Sequence, residues 1–129
     1  MKFNKTYINE LFYIEPTLYE DERGYFYESY NKNIFDEYVG KDIKFVQDNH
    51  SCSSRDTIRG IHLQKDPYAQ GKLVRVISGA ILDIAIDLRK DSMTYLKYFA
   101  IELNETNKLQ LYIPEGFGHA FLALADNSN

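Results

Sequence analysis

Arg59, His62 and Lys72 lie within one short stretch, Thr57 to Lys72, and are the residues of this chain whose types and spacing could do acid–base chemistry. An imidazole titrates near neutrality and can take a proton from carbon beside a carbonyl, while an ammonium group close by steadies the oxyanion that results. The run Ile58-Arg-Gly-Ile-His-Leu-Gln64 is β-branched and alternating, so it predicts a strand. Strict alternation puts His62 with Ile58, Gly60 and Gln64, and leaves Arg59 on the other face. A bulge at Gly60, or the end of the strand, would bring Arg59 and His62 to one pocket, because glycine tolerates the extra residue.

The elements that must position these groups are mostly strands. Eleven tyrosines and eight phenylalanines without a tryptophan suit half-buried sheets, and 129 residues that are 44% hydrophobic support one domain, residues 1–129. Thr6–Ile14 reads as an edge strand stopped by Pro16. Asp21–Gly24 is a turn that opens a hairpin into Tyr25–Tyr30, and Asn31–Asn33 caps a short helix over about 34–39, closed by Gly40. From Asp42 a further strand carries Ile43, Phe45, Gln47 and Asn49 on one face. Its two amides could read a polar ligand or satisfy backbone at a strand end. The loop His50–Asp56 leads to the Arg59/His62 strand, and Cys52 within it has no base nearby in sequence.

Strands are expected at Lys72–Ile77, Ala80–Leu88, Tyr95–Leu103, Leu109–Ile113 and 119–124, with turns at Ser78-Gly79 and Asn104–Asn107. In Ala80–Leu88 one face is wholly apolar (Leu82, Ile84, Ile86, Leu88) and is expected to meet the core. The other carries Asp83 and Asp87 and is expected to meet solvent or a polar cavity. Many short strands with one short helix predict an all-β sandwich or a jelly-roll barrel, which encloses a pocket.

Charge and sulfur exclude several functions. At a net charge of −4 no broad basic face for nucleic acid is expected, and an anionic ligand needs a local cluster such as Arg55, Arg59, Lys65, Lys72 and Arg75. The single cysteine forms no internal disulfide and suits a reducing compartment, the cytoplasm by default. No apolar signal core or membrane-length segment is visible, so no membrane is expected.

Six motifs, Asp21–Glu28, Phe45–Ser51, Ile58–Gln64, Ala69–Val76, Asp83–Arg89 and Ile113–Phe121, together resemble the dTDP-4-dehydrorhamnose 3,5-epimerase family in the family's order. The resemblance implies a cupin-type jelly roll, acting as a homodimer without metal or other cofactor on a nucleotide-linked 4-keto-6-deoxy sugar. It makes His62 the base and Lys72 the group that steadies the enolate oxygen. It assigns Arg23, Glu28, Gln47, Asn49 and Arg59 to the nucleotide diphosphate, with Arg23 and Glu28 reaching across the dimer, and places His119 near the sugar. In the family, a continuation beyond the last motif supplies a tyrosine acid and an aspartate that pairs with the base. This sequence ends at Asn129, before both, so the family's C-terminal extension is expected to be absent and no acid is assigned. Asp83 is a candidate to bond the His62 ring from behind, or a residue that only bonds structural donors.

Other readings compete. A metal cupin could use His62, His119 and a carboxylate, but HxH and HxxxH spacings are absent. A sugar-nucleotide ketoisomerase would use a similar base on the same fold. A catalytically inactive nucleotide-sugar-binding or dimerisation module would keep the pocket without the proton transfer.

Overall fold

Two four-stranded antiparallel sheets face each other in the computed structural model, which describes residues 1–40 and 43–129. The elements are β1 (Lys2–Lys5), β2 (Phe12–Glu15), β3 (Tyr19–Asp21), β4 (Gly24–Phe26), α1 (Lys32–Tyr38), β5 (Ile58–His62), β6 (Lys72–Arg75), β7 (Ala80–Asp87), β8 (Tyr98–Asn104), β9 (Gln110–Ile113) and β10 (Phe117–Ala123). One sheet runs β1-β2-β9-β6 and the other β5-β10-β7-β8, with β3 and β4 forming a separate hairpin. This is the cupin-like jelly roll with one short helix expected from the sequence. Among the described residues no helix is long and apolar enough to cross a membrane.

The core has two parts because the first sheet is covered on both faces. Leu111, Ile113 and Val76 meet Ile81, Ala85, Leu103 and Phe117 of the second sheet to fill the space between the sheets. On the outer face of the first sheet, Phe12, Ile14 and Tyr112 pack against Phe35 of α1. Asn31 caps this helix, its side-chain oxygen accepting from the backbone N–H groups of Asn33 and Ile34. A fully buried Leu, Ile or Phe side chain contributes roughly 1.5–3 kcal/mol.

Three sequence expectations are corrected here. Thr6–Ile14 is not one strand: Thr6–Leu11 is a turn, with Thr6 N–H donating to the Leu11 carbonyl, and it joins β1 to β2. β2 is an interior strand, between β1 and β9. The strand expected from Asp42 begins outside the described residues, and residues 43–50 form no ladder; Phe45 and Ile43 are instead drawn onto the α1 side of the core. In β7 the faces are reversed. Ile81, Asp83, Ala85 and Asp87 are the buried row, and Leu82, Ile84 and Ile86 form a half-buried outer row. The carboxylates can lie inside because neighbouring segments bring donors to them, which strand alternation alone does not reveal.

Asp87 illustrates this. It accepts from the Arg89 backbone N–H and guanidinium and from the hydroxyls of Ser92 and Thr94, and Arg89 also pairs with Glu10 and sits over the Phe117 ring. Burial opposes the charge, but the bonds from Arg89, Ser92 and Thr94 outweigh it and hold the carboxyl well below its ordinary range. An unfolded carboxyl titrates near about 3.9, so this network stabilises the fold above that pH and the contribution is lost as the pH falls below it. Asp87→Asn is expected to cost roughly 3 kcal/mol at neutral pH and to flatten the acid limb of stability against pH. Urea unfolding at a series of pH values measures both, and an unchanged acid limb would show that other carboxylates carry it.

Candidate active site

The Arg59/His62 strand crosses β10 closely enough that Gly60 is required. A Cβ there would come within 2.6 Å of the His119 carbonyl oxygen and 2.7 Å of Ala120, and Gly60 has φ +120°. The pairing register shifts at this point: His62 faces His119, and Arg59 faces Phe121, so Gly60 and Ile61 together oppose Ala120. This is the bulge anticipated from the sequence. Since His119 and Phe121 share a face of β10, the bulge puts Arg59 and His62 on that same face. Gly60→Ala is expected to cost at least about 1–3 kcal/mol through backbone strain and to misplace His62. A chemical-denaturation midpoint equal to that of the parent would contradict the bulge.

β5 and β6 are the edge strands of their respective sheets, and an open cavity of about 1360 Å³ lies between them. His62 and His119 enter it from the second sheet. Lys72 belongs to β6 of the first sheet, where it shares the inward face with Val74, and it lines the same cavity. Desolvation holds the Lys72 amine below its ordinary pKa. The segment 45–51 forms a further wall and contributes Gln47 and Asn49, whose side chains bond to each other at 3.0 Å. Tyr30 and Gln110, which were not singled out from the sequence, also line it, together with Arg75 of the expected basic cluster. A second groove of about 880 Å³ beside Tyr38, Tyr68 and Tyr112 contains none of His62, Lys72 and His119.

Three expected residues are not in the cavity wall. The Arg59 guanidinium reaches back to the Ser53 hydroxyl at 3.1 Å and the Cys52 carbonyl at 3.4 Å. Arg23 sits at the tip of the β3–β4 hairpin, paired with Asp21, and Glu28 accepts from Asn31 at 3.2 Å. Asp83 does not partner His62. Its Oδ1 lies 2.6 Å from Nε2 of His119, because β10 separates β7 from β5 and the carboxylate reaches the nearer histidine. Among the described residues the His62 side chain has no hydrogen-bond partner, and no three His, Cys, Asp or Glu side chains converge as metal ligands.

Two opposed sheets with an open end, with a histidine entering from one wall and a lysine from the other, define a cupin-type jelly roll with a polar cavity. Residues 5–129 match the family model described as dTDP-4-dehydrorhamnose 3,5-epimerase. The chain is 48% identical over 128 residues to the dTDP-4-dehydrorhamnose 3,5-epimerase of Shigella flexneri, a match covering 99% of this chain and 71% of that one. Its structure is similar to the crystal structure of the enzyme of that name from Elizabethkingia anophelis, with a TM-score of 0.94, 49% identity, and 99% and 70% of the two chains covered. It is also similar, at a TM-score of 0.93 and 41% identity over 98% of this chain and 67% of the other, to the Legionella pneumophila dTDP-6-deoxy-D-glucose-3,5-epimerase in complex with dTDP-4-keto-L-rhamnose. The chain belongs to the dTDP-4-dehydrorhamnose 3,5-epimerase family.

Proposed function

We propose that the cavity binds a dTDP-linked 4-keto-6-deoxy sugar and that His62 removes a proton from carbon next to the C4 ketone, inverting that centre on reprotonation. The observation that supports this reading best is the arrival of His62 and Lys72 from opposite sheets in one cavity. The ketone acidifies the C3 and C5 protons. As His62 takes one of them, the C–H electron pair passes into the enolate and the charge falls on O4, where the Lys72 ammonium offsets it. A proton delivered by solvent to the other face of the same carbon inverts it, and His62 gives up the proton it took to solvent. His62 and His119 are register partners on one wall, so His119 is on the wrong side to supply that proton and instead lies beside the sugar. Gln47 and Asn49 hold the nucleotide diphosphate from the cavity wall, and Arg59 joins them by turning away from Ser53 and Cys52. Titration calorimetry with dTDP is expected to show binding that weakens in Arg59→Ala; no binding by the parent at millimolar dTDP would contradict the assignment.

The same reading makes the protein a homodimer in which Arg23 and Glu28 serve the site of a second copy. The β3–β4 hairpin supports it. Tyr19, Tyr25 and Phe26 are 64%, 55% and 70% exposed there, and a Lys108 amine bonded to the Tyr25 hydroxyl at 2.8 Å anchors the hairpin to the sandwich. Exposed aromatic side chains grouped in this way mark a protein interface. Sedimentation equilibrium at micromolar concentration is expected to give a dimer, and a monomer would contradict the shared site.

A further inference from the structure

All three histidines of the chain line the cavity, and among the described residues only His119 has a carboxylate partner. That carboxylate is unusual in its surroundings. Asp83 is wholly buried, its Oδ1 lies 2.6 Å from Nε2 of His119, and its Oδ2 is buried without a partner. Desolvation pushes the carboxyl above its ordinary range, and the bond and charge of His119 pull it back. The ladder arranges the meeting. Asp83 is the register partner of Phe121 and Ala85 that of His119, so the carboxylate crosses to the imidazole diagonally, past an alanine that leaves the way open. A buried carboxylate with a free oxygen is costly unless the one bond it makes is a strong one.

We propose that Asp83 is the positioning residue of His119: by accepting the proton of Nε2 it fixes the ring plane and tautomer, so that Nδ1 is the nitrogen presented to the bound sugar. This rests on the reading of the cavity as the nucleotide-sugar site. An imidazole with one nitrogen committed to protein has a single nitrogen left for a ligand, and the committed bond decides which carries the proton. Asparagine at position 83 keeps the shape but can offer either its oxygen or its NH₂ to Nε2, so the ring is no longer held in one tautomer. Partners that orient a functional histidine from behind are commonly worth roughly 10–100-fold in ligand affinity, taking metal sites as the measured parallel.

The test is long-range ¹H–¹⁵N NMR of the histidine rings in the full chain without ligand, with His119 assigned by its absence in His119→Gln. The parent is expected to carry a proton on Nε2, and Asp83→Asn to show a mixture of tautomers. Binding of dTDP-4-keto-6-deoxyglucose should weaken roughly 10–100-fold in that variant, while proton exchange at saturating sugar falls much less, because His62 is untouched. A parent ring protonated on Nδ1 alone overturns the proposal, and so does an Asp83→Asn protein with unchanged tautomer and affinity. The parent spectrum decides even if the variant does not fold. Because that spectrum is taken without ligand, Nε2 protonation supports the pairing whether or not the sugar binds, whereas absent sugar binding overturns the cavity reading instead.

Discussion

His62→Ala is expected to lower the rate of proton removal from the sugar by roughly 10²–10⁴-fold, the usual worth of a positioned base. Stability should hardly change. The side chain is exposed at the end of an edge strand and has no hydrogen-bond partner among the described residues, and changes at such positions usually stay within about ±0.5 kcal/mol. The combination is diagnostic, because a structural histidine would lose stability first. Comparing the thermal midpoint with single-turnover rates checks both halves. Near-parent turnover would move the base to another cavity residue, of which His50 is the histidine not already bonded to a carboxylate.

Lys72→Met is expected to cost on the order of 10²–10³ in turnover, comparable with loss of one oxyanion donor. Methionine keeps most of the apolar stem that packs beside Val74, so the loss reports on the charge. Here the stability effect should have the opposite sign. Desolvation depresses the folded pKa of Lys72 without a compensating carboxylate bond, so its charge opposes folding at neutral pH, and that opposition fades as the pH rises toward the ordinary lysine value. Lys72→Met should therefore unfold at the same or a higher temperature than the parent at pH 7 while losing activity. A variant that is both active and less stable would make Lys72 a structural residue.

The bulge at Gly60 was legible because a single glycine between two alternating faces has few other uses, whereas the turn of the Arg59 guanidinium toward Ser53 and Cys52 was not. The hairpin at Asp21–Gly24 and the helix after Asn31 were legible for the same kind of reason, since their turn and cap residues act locally. What escaped was non-local. The faces of β7 were read by hydrophobicity alone, yet Asp83 and Asp87 are interior because His119 and Arg89 arrive from β10 and from the loop after β7. The partner of Asp83 depended on strand order, since only the placement of β10 between β5 and β7 makes His119 the nearer imidazole. Alternation in residues 43–49 suggested a strand, but the aromatic side of that segment packs toward Phe35 and the segment has no ladder partner. The chemistry at His62 and Lys72 was carried by motifs, whereas their approach from opposite sheets needed the fold.

The role proposed for His62 is removal of a proton beside the C4 ketone of a bound nucleotide sugar. Proton NMR of dTDP-4-keto-6-deoxyglucose in D₂O with this chain, following the C3 and C5 positions and using His62→Ala as control, tests it directly. Deuterium is expected to enter at C3, C5 or both, and His62→Ala to abolish the exchange. Retention of both protons by a sugar nucleotide that demonstrably binds, or exchange that persists undiminished in His62→Ala, would contradict it.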